Sequence, residues 1–573
     1  MRWCSLGLLM VCTAVQAAER PGLQMWTTTE TRHVLRSEPP GDSLDVKLFL
    51  ARNEWRGFQV LLRSDAAVPG IRVGVTDFRG PDGETIPASG VRLYRQHQLE
   101  LKQGTYRNTD FKPDFYPDPL IPFADPVTGK PIEQAQWLAQ PLDLPAGQTH
   151  GFWIDVYAPA DAKAGVYRGA FRLGVPGRVG FEFPIEVTVW NFTLPATPTL
   201  ISAFGSPAGR LRGYYAQLAK AGKAEAPKDW AAVEEQCADL LAEHRMNATP
   251  PGELLRPGAE GVSYRFSPRQ IDGLRKFIDR HHVNAIQTPH PSSAVKDPDA
   301  EKEKLREWLG AFDRMAKELD RPEVVFYTYL KDEPNTLDDY RYVQKWGRAV
   351  KEAKSVVKVM VVEQTWTERG MGGADSAWGD LYGAVDIWCP LFSLHRPDSA
   401  EKRMALGEMV WTYTALCQGK PTPWWHIDYP LLNYRVPAWM AWRNHMSGLL
   451  YWGGMSYWKV DDPWTEAPYY TGSGRPQQGE KGIIFNGEGS MVYPADAVGY
   501  AGIVPTIRLK ALRDSIEDFE YLSILQRSGR RVEADRIAAE LTASFFSWQK
   551  DPAAYDAARR RLGELIPGGK TGP

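Results

Sequence analysis

Two adjacent acidic residues, Asp332 and Glu333, end a run of β-branched and aromatic residues in the stretch VVFYTYLKDEPN, 324–335. Neighbouring carboxylates repel each other, and burial of both raises the pKa of at least one of them. Such a pair lowers stability unless chemistry uses it. One such use is acid catalysis, in which one carboxyl group keeps its proton near neutral pH while the other stays ionised.

An acidic dipeptide alone is a weak signal in this chain. With 70 acidic residues, roughly eight or nine adjacent pairs arise by chance, and Asp461-Asp462 and Glu517-Asp518 illustrate that background. The distinguishing feature of Asp332-Glu333 is its position at the carboxyl end of a predicted strand. Pro334 cannot continue a strand and restricts the backbone of the residue before it, so both carboxylates can face one pocket.

The chemistry that suits this pair is glycosidic bond cleavage, which needs a proton donor at the leaving oxygen. Acids adjacent on one strand are poorly arranged to flank a scissile bond from opposite faces. They fit better when the substrate supplies its own nucleophile, as the acetamido oxygen of a 2-acetamido sugar can. One carboxylate then orients the acetamido N–H while the other acts as the acid.

Aromatic and polar residues near other predicted strand ends are candidates for sugar contact. Flat aromatic faces suit the apolar faces of pyranose rings, although core packing explains any single Trp equally well. His290 and Tyr413 could likewise be structural, as a hydrogen-bonding histidine and a core tyrosine. The expected substrate-binding residues are His290, Trp366, Trp388, Tyr413, Asp428 and Trp452.

Composition and motifs exclude several other functions. The net charge of -2 leaves no excess of positive charge for phosphate, so nucleic acid is not an expected partner. The chain lacks the HExxH, GxxxxGK[ST] and GxSxG signatures and a GxGxxG after a strand. Cys237, Cys389 and Cys417 have no metal-like spacing. We expect a glycan or glycoconjugate substrate, no cofactor and no metal.

The first residues, MRWCSLGLLMVCTAVQA, have the pattern of a secretory signal peptide. Its apolar run is too short to span a bilayer, and no later stretch is long enough. We expect residues 1–17 to be cleaved and the mature protein to be exported to the periplasm or the extracellular space.

Period-two alternation dominates residues 18–195, for example at Val46, Leu48 and Leu50. Helical periodicity is missing there, so we predict an antiparallel β-sandwich. The proline-rich segment LPATPTL, 194–200, predicts a linker to a different domain.

Strands and helices alternate over residues 196–530, which predicts a (β/α)8 TIM barrel with its active site at the carboxyl ends of the strands. A helix capped by Thr506 has an apolar face and is predicted to be amphipathic, with Arg508 and Arg513 on a solvated or ion-paired face. Residues 531–573 are predicted to form a C-terminal helical extension. The eight predicted strands are 200–205, a short segment around Ala248, 285–288, 324–330, 357–364, 385–389, 409–415 and 448–452.

Several motifs together resemble glycoside hydrolase family 123, the β-N-acetylgalactosaminidase family. In the C-terminal half these are YLKDEPNT, GLLYW, NGEGSMVYP and IRLKALRDSIEDFEYLSIL. In the N-terminal half they are ARNEWRGFQV, FYPDPLIPF and HGFWIDVYAPADAKAGVYRG. The resemblance implies a retaining exo-hydrolase that releases terminal β-linked N-acetylgalactosamine through an oxazolinium intermediate. It further implies that Asp332 stabilises the acetamido group and that Glu333 is general acid, then base.

Two alternatives remain open from the sequence. In the first, the barrel acts on a sugar without an acetamido group and uses a separate nucleophile such as Glu363 or Asp386. In the second, the protein binds carbohydrate without catalysis. The sequence does not define the linkage, the aglycone, galacto against gluco preference or the oligomeric state.

Overall fold

The computed structural model describes residues 22–568 except 262, 367–378, 417–420 and 473–481. The predicted signal peptide, residues 1–17, and Cys417 lie outside the described residues. The N-terminal strands are β1 (Leu23–Thr28), β2 (Val46–Arg52), β3 (Glu54–Ser64), β4 (Val68–Val75), β5 (Phe78–Arg79), β6 (Thr85–Ile86), β7 (Val91–Leu101), β8 (Asp114–Pro122), β9 (Leu142–Leu144), β10 (His150–Ala158), β11 (Gly165–Gly174) and β12 (Phe181–Thr193).

These strands form two sheets that share one hydrophobic core. One sheet has the order β1-β3-β10-β7-β8, and the other has the order β2-β12-β11-β4-β9 with β5 and β6 attached at β11. The alternating residues Leu50 of β2, Val60 of β3 and Ile154 of β10 all lie in the core between the sheets. The predicted alternation is therefore confirmed. One pair departs from the antiparallel prediction, because β2 and β12 run parallel.

The remaining strands belong to the C-terminal part and include a seven-stranded parallel sheet. Its order is β13-β21-β20-β19-β18-β17-β16. The bounds are β13 (Ile201–Ala203), β14 (Gly258–Glu260), β15 (Ser263–Arg265), β16 (Ala285–Thr288), β17 (Val325–Asp332), β18 (Lys358–Val362), β19 (Ile387–Trp388), β20 (Met409–Tyr413), β21 (Gly448–Leu450), β22 (Tyr469–Thr471), β23 (Ile484–Asn486), β24 (Val492–Pro494), β25 (Ile503–Pro505), β26 (Thr542–Ser544) and β27 (Ser547–Trp548). Seven of the eight predicted strands are thus present in a barrel-like sheet.

The eighth predicted strand, around Ala248, is not a strand in the described structure. It falls between β13 and β16, and hydrogen bonds of Asn247 connect the two sides of this gap. The backbone N of Asn247 donates to Ser202 Oγ at 2.8 Å, and its Oδ1 accepts from the backbone N of Asn284 at 2.9 Å. Two prolines follow at 250 and 251 and have no N–H for a ladder. The sheet is therefore nearly closed by side chains.

Helices cover the outside of the parallel sheet and continue past it. The inner face of the sheet carries its own core, to which Tyr327, Met360 and Trp411 belong. The helices are α1 (Ala208–Lys220), α2 (Trp230–Glu243), α3 (Pro268–His281), α4 (Lys302–Leu319), α5 (Leu337–Glu352), α6 (Pro397–Met404), α7 (Leu432–Arg443), α8 (Ile507–Arg527), α9 (Arg531–Leu541) and α10 (Pro552–Leu565). Among the described residues, no helix has both the length and the apolar character that a bilayer crossing requires.

The amphipathic prediction for α8 is wrong, because this helix is buried on every side through nearly all of its length. Thr506 caps it as predicted, accepting from the backbone N of Leu509. Its charged residues form buried ion pairs instead of facing solvent, some with the sandwich and some with α7 and α10. Arg508 pairs with Asp118 at 2.6 Å and Arg513 with Asp155 at 2.8 Å, and all four side chains are fully buried. The sequence predicts that these arginines are either solvated or ion-paired, and in the structure both are ion-paired.

Candidate active site

A bulge in β17 turns the acidic pair toward the inside of the sheet. The register with β18 shifts between Tyr329 and Lys331. Tyr329 packs on the inner core, whereas Leu330 belongs to the outer core under the helices. The extra residue in the bulge reverses the alternation, so Asp332 returns to the side of Tyr329. The Tyr329 hydroxyl donates to Asp332 Oδ1 at 2.7 Å, a contact that a regular strand would not allow at this spacing.

The backbone leaves strand geometry at Glu333, which has a φ of 39°. A left-handed conformation at a residue with a side chain stores about 1–3 kcal/mol of strain and requires support from its surroundings. That support comes from Pro334, which is buried, and from Asn335, whose Nδ2 donates to the Glu333 carbonyl at 2.7 Å. The predicted break beside the proline is present. It is a left-handed turn, and it follows a bulge that the sequence pattern did not predict.

Both carboxylates are held by tyrosine hydroxyl groups over the inner core. The hydroxyl of Tyr413, at the end of β20, donates to Glu333 Oε1. Burial raises the pKa of Tyr329, and the negative charges of Asp332 and Glu333 raise it further. Its hydroxyl therefore stays protonated and remains a donor. Because Tyr329 and Tyr413 both belong to the inner core, their hydroxyl contacts place the two carboxylates on the same side of the sheet.

The acidic pair is less buried than the sequence predicts. Asp332 is exposed and Glu333 is half-buried. Within the described part of the chain, neither carboxylate forms an ion pair. The neighbouring Lys331 instead points to α5 and pairs with Asp339 at 2.6 Å. The two acids thus lie at the open end of the sheet, where a ligand can reach them.

A cavity of about 620 Å³ opens beside the pair, at the carboxyl ends of β13, β16, β17 and β21. This volume suits a small-molecule or sugar ligand. Tyr329 contributes to its wall from the acidic strand, and Trp452 from the loop after β21. Asn247 lines the side where the sheet is not paired. Its lining includes Tyr329, whose hydroxyl holds Asp332, but neither carboxylate of the acidic pair.

Trp452 is fixed in the cavity wall by Glu488, a buried acid to which the sequence pattern assigned no role. The indole N–H of Trp452 donates to Glu488 Oε1, and Glu488 Oε2 lies 2.7 Å from His426 Nε2. Glu488 lies between two glycines, Gly487 and Gly489, which have φ of 75° and 72°. The glycine-flanked glutamate in NGEGS is the signal that could have identified it.

We expect Glu488→Gln to weaken substrate binding, because it removes the charge that holds Trp452 and His426 in place. KM should rise by about tenfold with a small change in kcat, since a wall of the cavity is disturbed and the acids are not. A double-mutant cycle with Trp452→Phe tests the link. Non-additive effects on KM are expected for groups in direct contact. Additive effects on KM would contradict a positioning role.

Two candidate sugar contacts are engaged by the protein itself. Nε2 of His290 lies 3.2 Å from the Leu330 carbonyl oxygen, and its Nδ1 accepts from the backbone N of Ser292. Burial lowers the pKa of His290. The indole N–H of Trp366 donates to the Leu394 carbonyl at 3.0 Å, and its ring is covered by Arg396. Both residues are thereby given structural roles near the strand ends.

Two other candidates lie away from the cavity. Trp388 packs in the outer core between sheet and helices, and its indole N–H donates to Glu408 at 2.6 Å. Its expected sugar contact is therefore wrong. The carboxylate of Asp428 accepts from the backbone N and hydroxyl of Thr105, at 2.7 and 2.6 Å. Asp428 joins a loop of the sandwich to the barrel-like part and has no free face for a sugar.

The two acids proposed as alternative nucleophiles lie in different environments. Burial raises the pKa of Glu363 to about 8, and the charge of Glu333 adds to this effect. Asp386 precedes β19 and pairs with Lys351 at 2.6 Å. It also accepts from the backbone N of Val359 at 2.9 Å. Asp386 is thus at the amino end of the sheet, opposite the cavity.

Comparison with known families identifies both halves of the chain. The family model for the catalytic domain of glycoside hydrolase 123 matches residues 288–525. The family model for the glycoside hydrolase 123 N-terminal domain matches residues 26–174. No curated protein matches the chain.

Comparison with solved structures gives a similar fold across nearly the whole chain. A family 123 glycoside hydrolase from Clostridium perfringens, studied for glycolipid glycan hydrolysis, is 14% identical with a TM-score of 0.64, and the match covers 96% of this chain and 97% of that one. A GH5 xyloglucanase from Bacteroides ovatus is 10% identical with a TM-score of 0.24 and covers 86% of this chain and 100% of that one. Only the first supports an argument about fold.

Proposed function

The chain belongs to glycoside hydrolase family 123, and from that premise we propose that it is a retaining exo-glycosidase that releases terminal β-linked N-acetylgalactosamine. The observation that supports this proposal most directly is the bulge in β17 and the left-handed turn that follows it at Glu333. They hold Asp332 and Glu333 on one side of the sheet, each on a tyrosine hydroxyl. This arrangement suits a substrate that brings its own nucleophile.

The first step breaks the glycosidic bond. The acetamido oxygen attacks the anomeric carbon, the bond to the leaving oxygen breaks, and Glu333 gives its proton to that oxygen. An oxazolinium ion results. Asp332 accepts the acetamido N–H and stabilises the positive charge that develops there. Its Oδ1 is bonded to Tyr329, which leaves Oδ2 for the substrate.

The second step is hydrolysis of that ion. The Glu333 carboxylate takes a proton from a water molecule as the water oxygen attacks the anomeric carbon. The oxazolinium ring opens and the acetamido group is restored. The sugar leaves with retained configuration, because two attacks from opposite faces have occurred at one carbon. Tyr413 keeps Glu333 aimed at the bond through both steps.

The surroundings of the two alternative nucleophiles favour substrate participation over a separate nucleophile. A nucleophilic carboxylate must be ionised, whereas a pKa of about 8 keeps Glu363 protonated at neutral pH. Asp386 is engaged with Lys351 at the other end of the sheet. A carbohydrate binder without catalysis has no need for a strained left-handed residue at Glu333.

The proposal is tested with purified protein and a panel of aryl β-glycosides that includes both N-acetylhexosamines. We expect release from the N-acetylgalactosaminide and strong inhibition by a thiazoline mimic of the oxazolinium ion. Glycolipid glycans extend the panel, because the Clostridium perfringens neighbour was studied with them. Release from a non-acetamido glycoside without thiazoline inhibition would favour the separate nucleophile. Binding without any release would favour the binder.

Asp332→Asn should lower kcat by about 10²- to 10³-fold, because a neutral amide stabilises a developing positive charge far less than a carboxylate does. The fold should survive, since Asp332 is exposed. Steady-state rates on the aryl N-acetylgalactosaminide measure the loss. Asp338→Asn, an exposed aspartate at 94% side-chain exposure on α5, is the matched control. Wild-type rates in Asp332→Asn would remove this residue from the mechanism.

We further propose that the parallel sheet is a (β/α)8 barrel in which residues 246–250 replace one strand. The bonds from Asn247 to both neighbouring strands support this view. The boundaries proposed from the sequence, 18–195 for the sandwich, 196–530 for the barrel and 531–573 for the extension, are tested by limited proteolysis. Export after cleavage near residue 17 is also proposed, and N-terminal sequencing of the secreted protein tests it.

A further inference from the structure

Two helices on the outside of the barrel-like sheet bring three potential metal ligands together. Glu235 and Asp239 lie one turn apart on α2, and His281 ends α3. Nε2 of His281 is 3.8 Å from Glu235 Oε2 and 3.8 Å from Asp239 Oδ1. One donor atom from each residue lies within 4.8 Å of the other two. Helical spacing of four residues explains why both acids share one face.

The histidine of this cluster is buried and has no hydrogen-bond partner in the described structure. His281 is 2% exposed, yet neither Nδ1 nor Nε2 is hydrogen-bonded. A buried polar group without a partner is destabilising by about 1–3 kcal/mol and calls for an explanation. The ring packs on Phe277 at 4.4 Å between centroids, which directs its edge toward the two acids.

The spacing of the three donors matches a single small cation. Zn²⁺ binds nitrogen at about 2.0–2.1 Å and carboxylate oxygen at about 2.0–2.2 Å. One ion can therefore bridge donors up to about 4.2 Å apart. The two separations from His281 Nε2, 3.8 Å each, lie inside that limit and are too long for hydrogen bonds, and the three donors as a set lie within 4.8 Å of one another. We propose that Glu235, Asp239 and His281 form a binding site for a divalent transition-metal ion, best suited to Zn²⁺.

The donor set argues for this class of ion over others. Imidazole nitrogen favours zinc and similar transition metals, whereas Ca²⁺ and Mg²⁺ prefer oxygen ligands alone. The two acids are partly exposed, which gives an ion a route in from solvent.

A neighbouring arginine already balances the charge of the two acids. Arg280 contacts Glu235 at 2.7 Å and Asp239 at 2.8 Å, and its side chain is 57% exposed. An exposed arginine is held weakly and can turn into solvent. The metal ion would then replace Arg280 beside the two acids and would also give the His281 ring a binding partner. The bound ion would join α2 to α3 and stabilise the outer helix layer.

This inference departs from the expectation of no metal, which rested on the spacing of the cysteines. It does not depend on the proposed function, because the cluster lies on outer helices and not at the strand ends. The test uses the full mature protein after treatment with a chelator. Zn²⁺ is titrated by calorimetry, and Co²⁺ is followed by its visible absorption, which reports a tetrahedral site.

We expect one equivalent of Zn²⁺ to bind and to raise the Tm. His281→Gln and Asp239→Asn should each weaken binding by about 100-fold or more, because loss of a direct ligand exceeds the 10- to 100-fold effect of a supporting residue. Asp239 is about half exposed, so its variant should fold. His282→Gln and Glu234→Gln are matched controls, a histidine and an acid beside the cluster, and should bind as wild type.

The variant Arg280→Gln distinguishes a metal site from a purely structural cluster of ion pairs. Removal of the competing guanidinium should tighten Zn²⁺ binding by about threefold to tenfold. The proposal is overturned if wild type and Arg280→Gln take up no Zn²⁺ at micromolar concentration. It is also overturned if the His281 and Asp239 variants bind as tightly as wild type, since the ion would then lie elsewhere.

Discussion

Glu333→Gln lowers kcat/KM on a glycoside with a poor leaving group by about 10²- to 10⁴-fold, the range that a general acid contributes. The amide keeps the size of the side chain and can still contact Tyr413 but cannot give up a proton. The loss should therefore lie in the chemical step and not in folding. Steady-state kinetics with an alkyl or disaccharide N-acetylgalactosaminide measure it.

The dependence on the leaving group separates acid catalysis from a general disturbance of the site. An activated aryl glycoside, such as a dinitrophenyl glycoside, needs little protonation of its leaving oxygen. The first step of Glu333→Gln should thus be nearly normal with that substrate, and a burst of released phenol should precede slow hydrolysis. Equal losses on both substrates would assign Glu333 a binding role instead.

A matched control lies just ahead of the same strand. Glu323 is an exposed glutamate just before the start of β17, away from the cavity. Glu323→Gln should retain wild-type rates on both substrates. Retention of wild-type rates in Glu333→Gln would remove the residue from the mechanism and leave the family membership intact.

The largest expected loss of stability is at the junction of α8 and the sandwich. Asp155 receives both Nη atoms of Arg513, at 2.8 and 2.9 Å, and pairs with Lys510 at 2.8 Å. Asp155→Asn leaves two cations buried with one neutral acceptor. Breaking a buried pair in this way destabilises by about 3–5 kcal/mol. Urea unfolding of wild type and variant, followed by tryptophan fluorescence, measures the difference.

An exposed pair in the same sandwich provides the control. Arg172 and Glu182 lie 2.7 Å apart with side chains 62% and 51% exposed. Glu182→Gln should change the free energy of unfolding by less than about 1 kcal/mol. Equal losses in the two variants would contradict the view that burial makes the Asp155 contacts strong.

The stabilisation that the Asp155 ion pairs provide should also depend on pH. Burial alone would raise the pKa of Asp155, but Arg513 and Lys510 lower it below the ordinary value. A depressed pKa means that the stabilisation is present above the unfolded pKa of about 3.9 and is lost as pH falls toward the folded pKa. The difference in the free energy of unfolding between wild type and Asp155→Asn should therefore shrink in acid. A constant difference from pH 7 to pH 2 would contradict this assignment.

The sequence by itself indicated where seven of the parallel strands lie along the chain and singled out the two adjacent acids. Alternation at residues such as Val60 reflects one buried face per strand, and that periodicity is local. The parallel strands read as short apolar runs because both of their faces are buried, one in the inner core and one under the helices. Pro334 cannot continue a strand, so the end of β17 near Glu333 followed from the sequence, whereas the left-handed turn with φ of 39° did not.

The tertiary structure decided where the polar residues went. The polar side of α8 has the pattern of a solvated face, yet Asp118 and Asp155 arrive from strands more than 350 residues away. The bulge in β17 depends on pairing with β18, and the support of Trp452 by Glu488 depends on a distant turn. Periodicity records which side of an element is apolar, but it does not record which countercharge the chain brings to the other side.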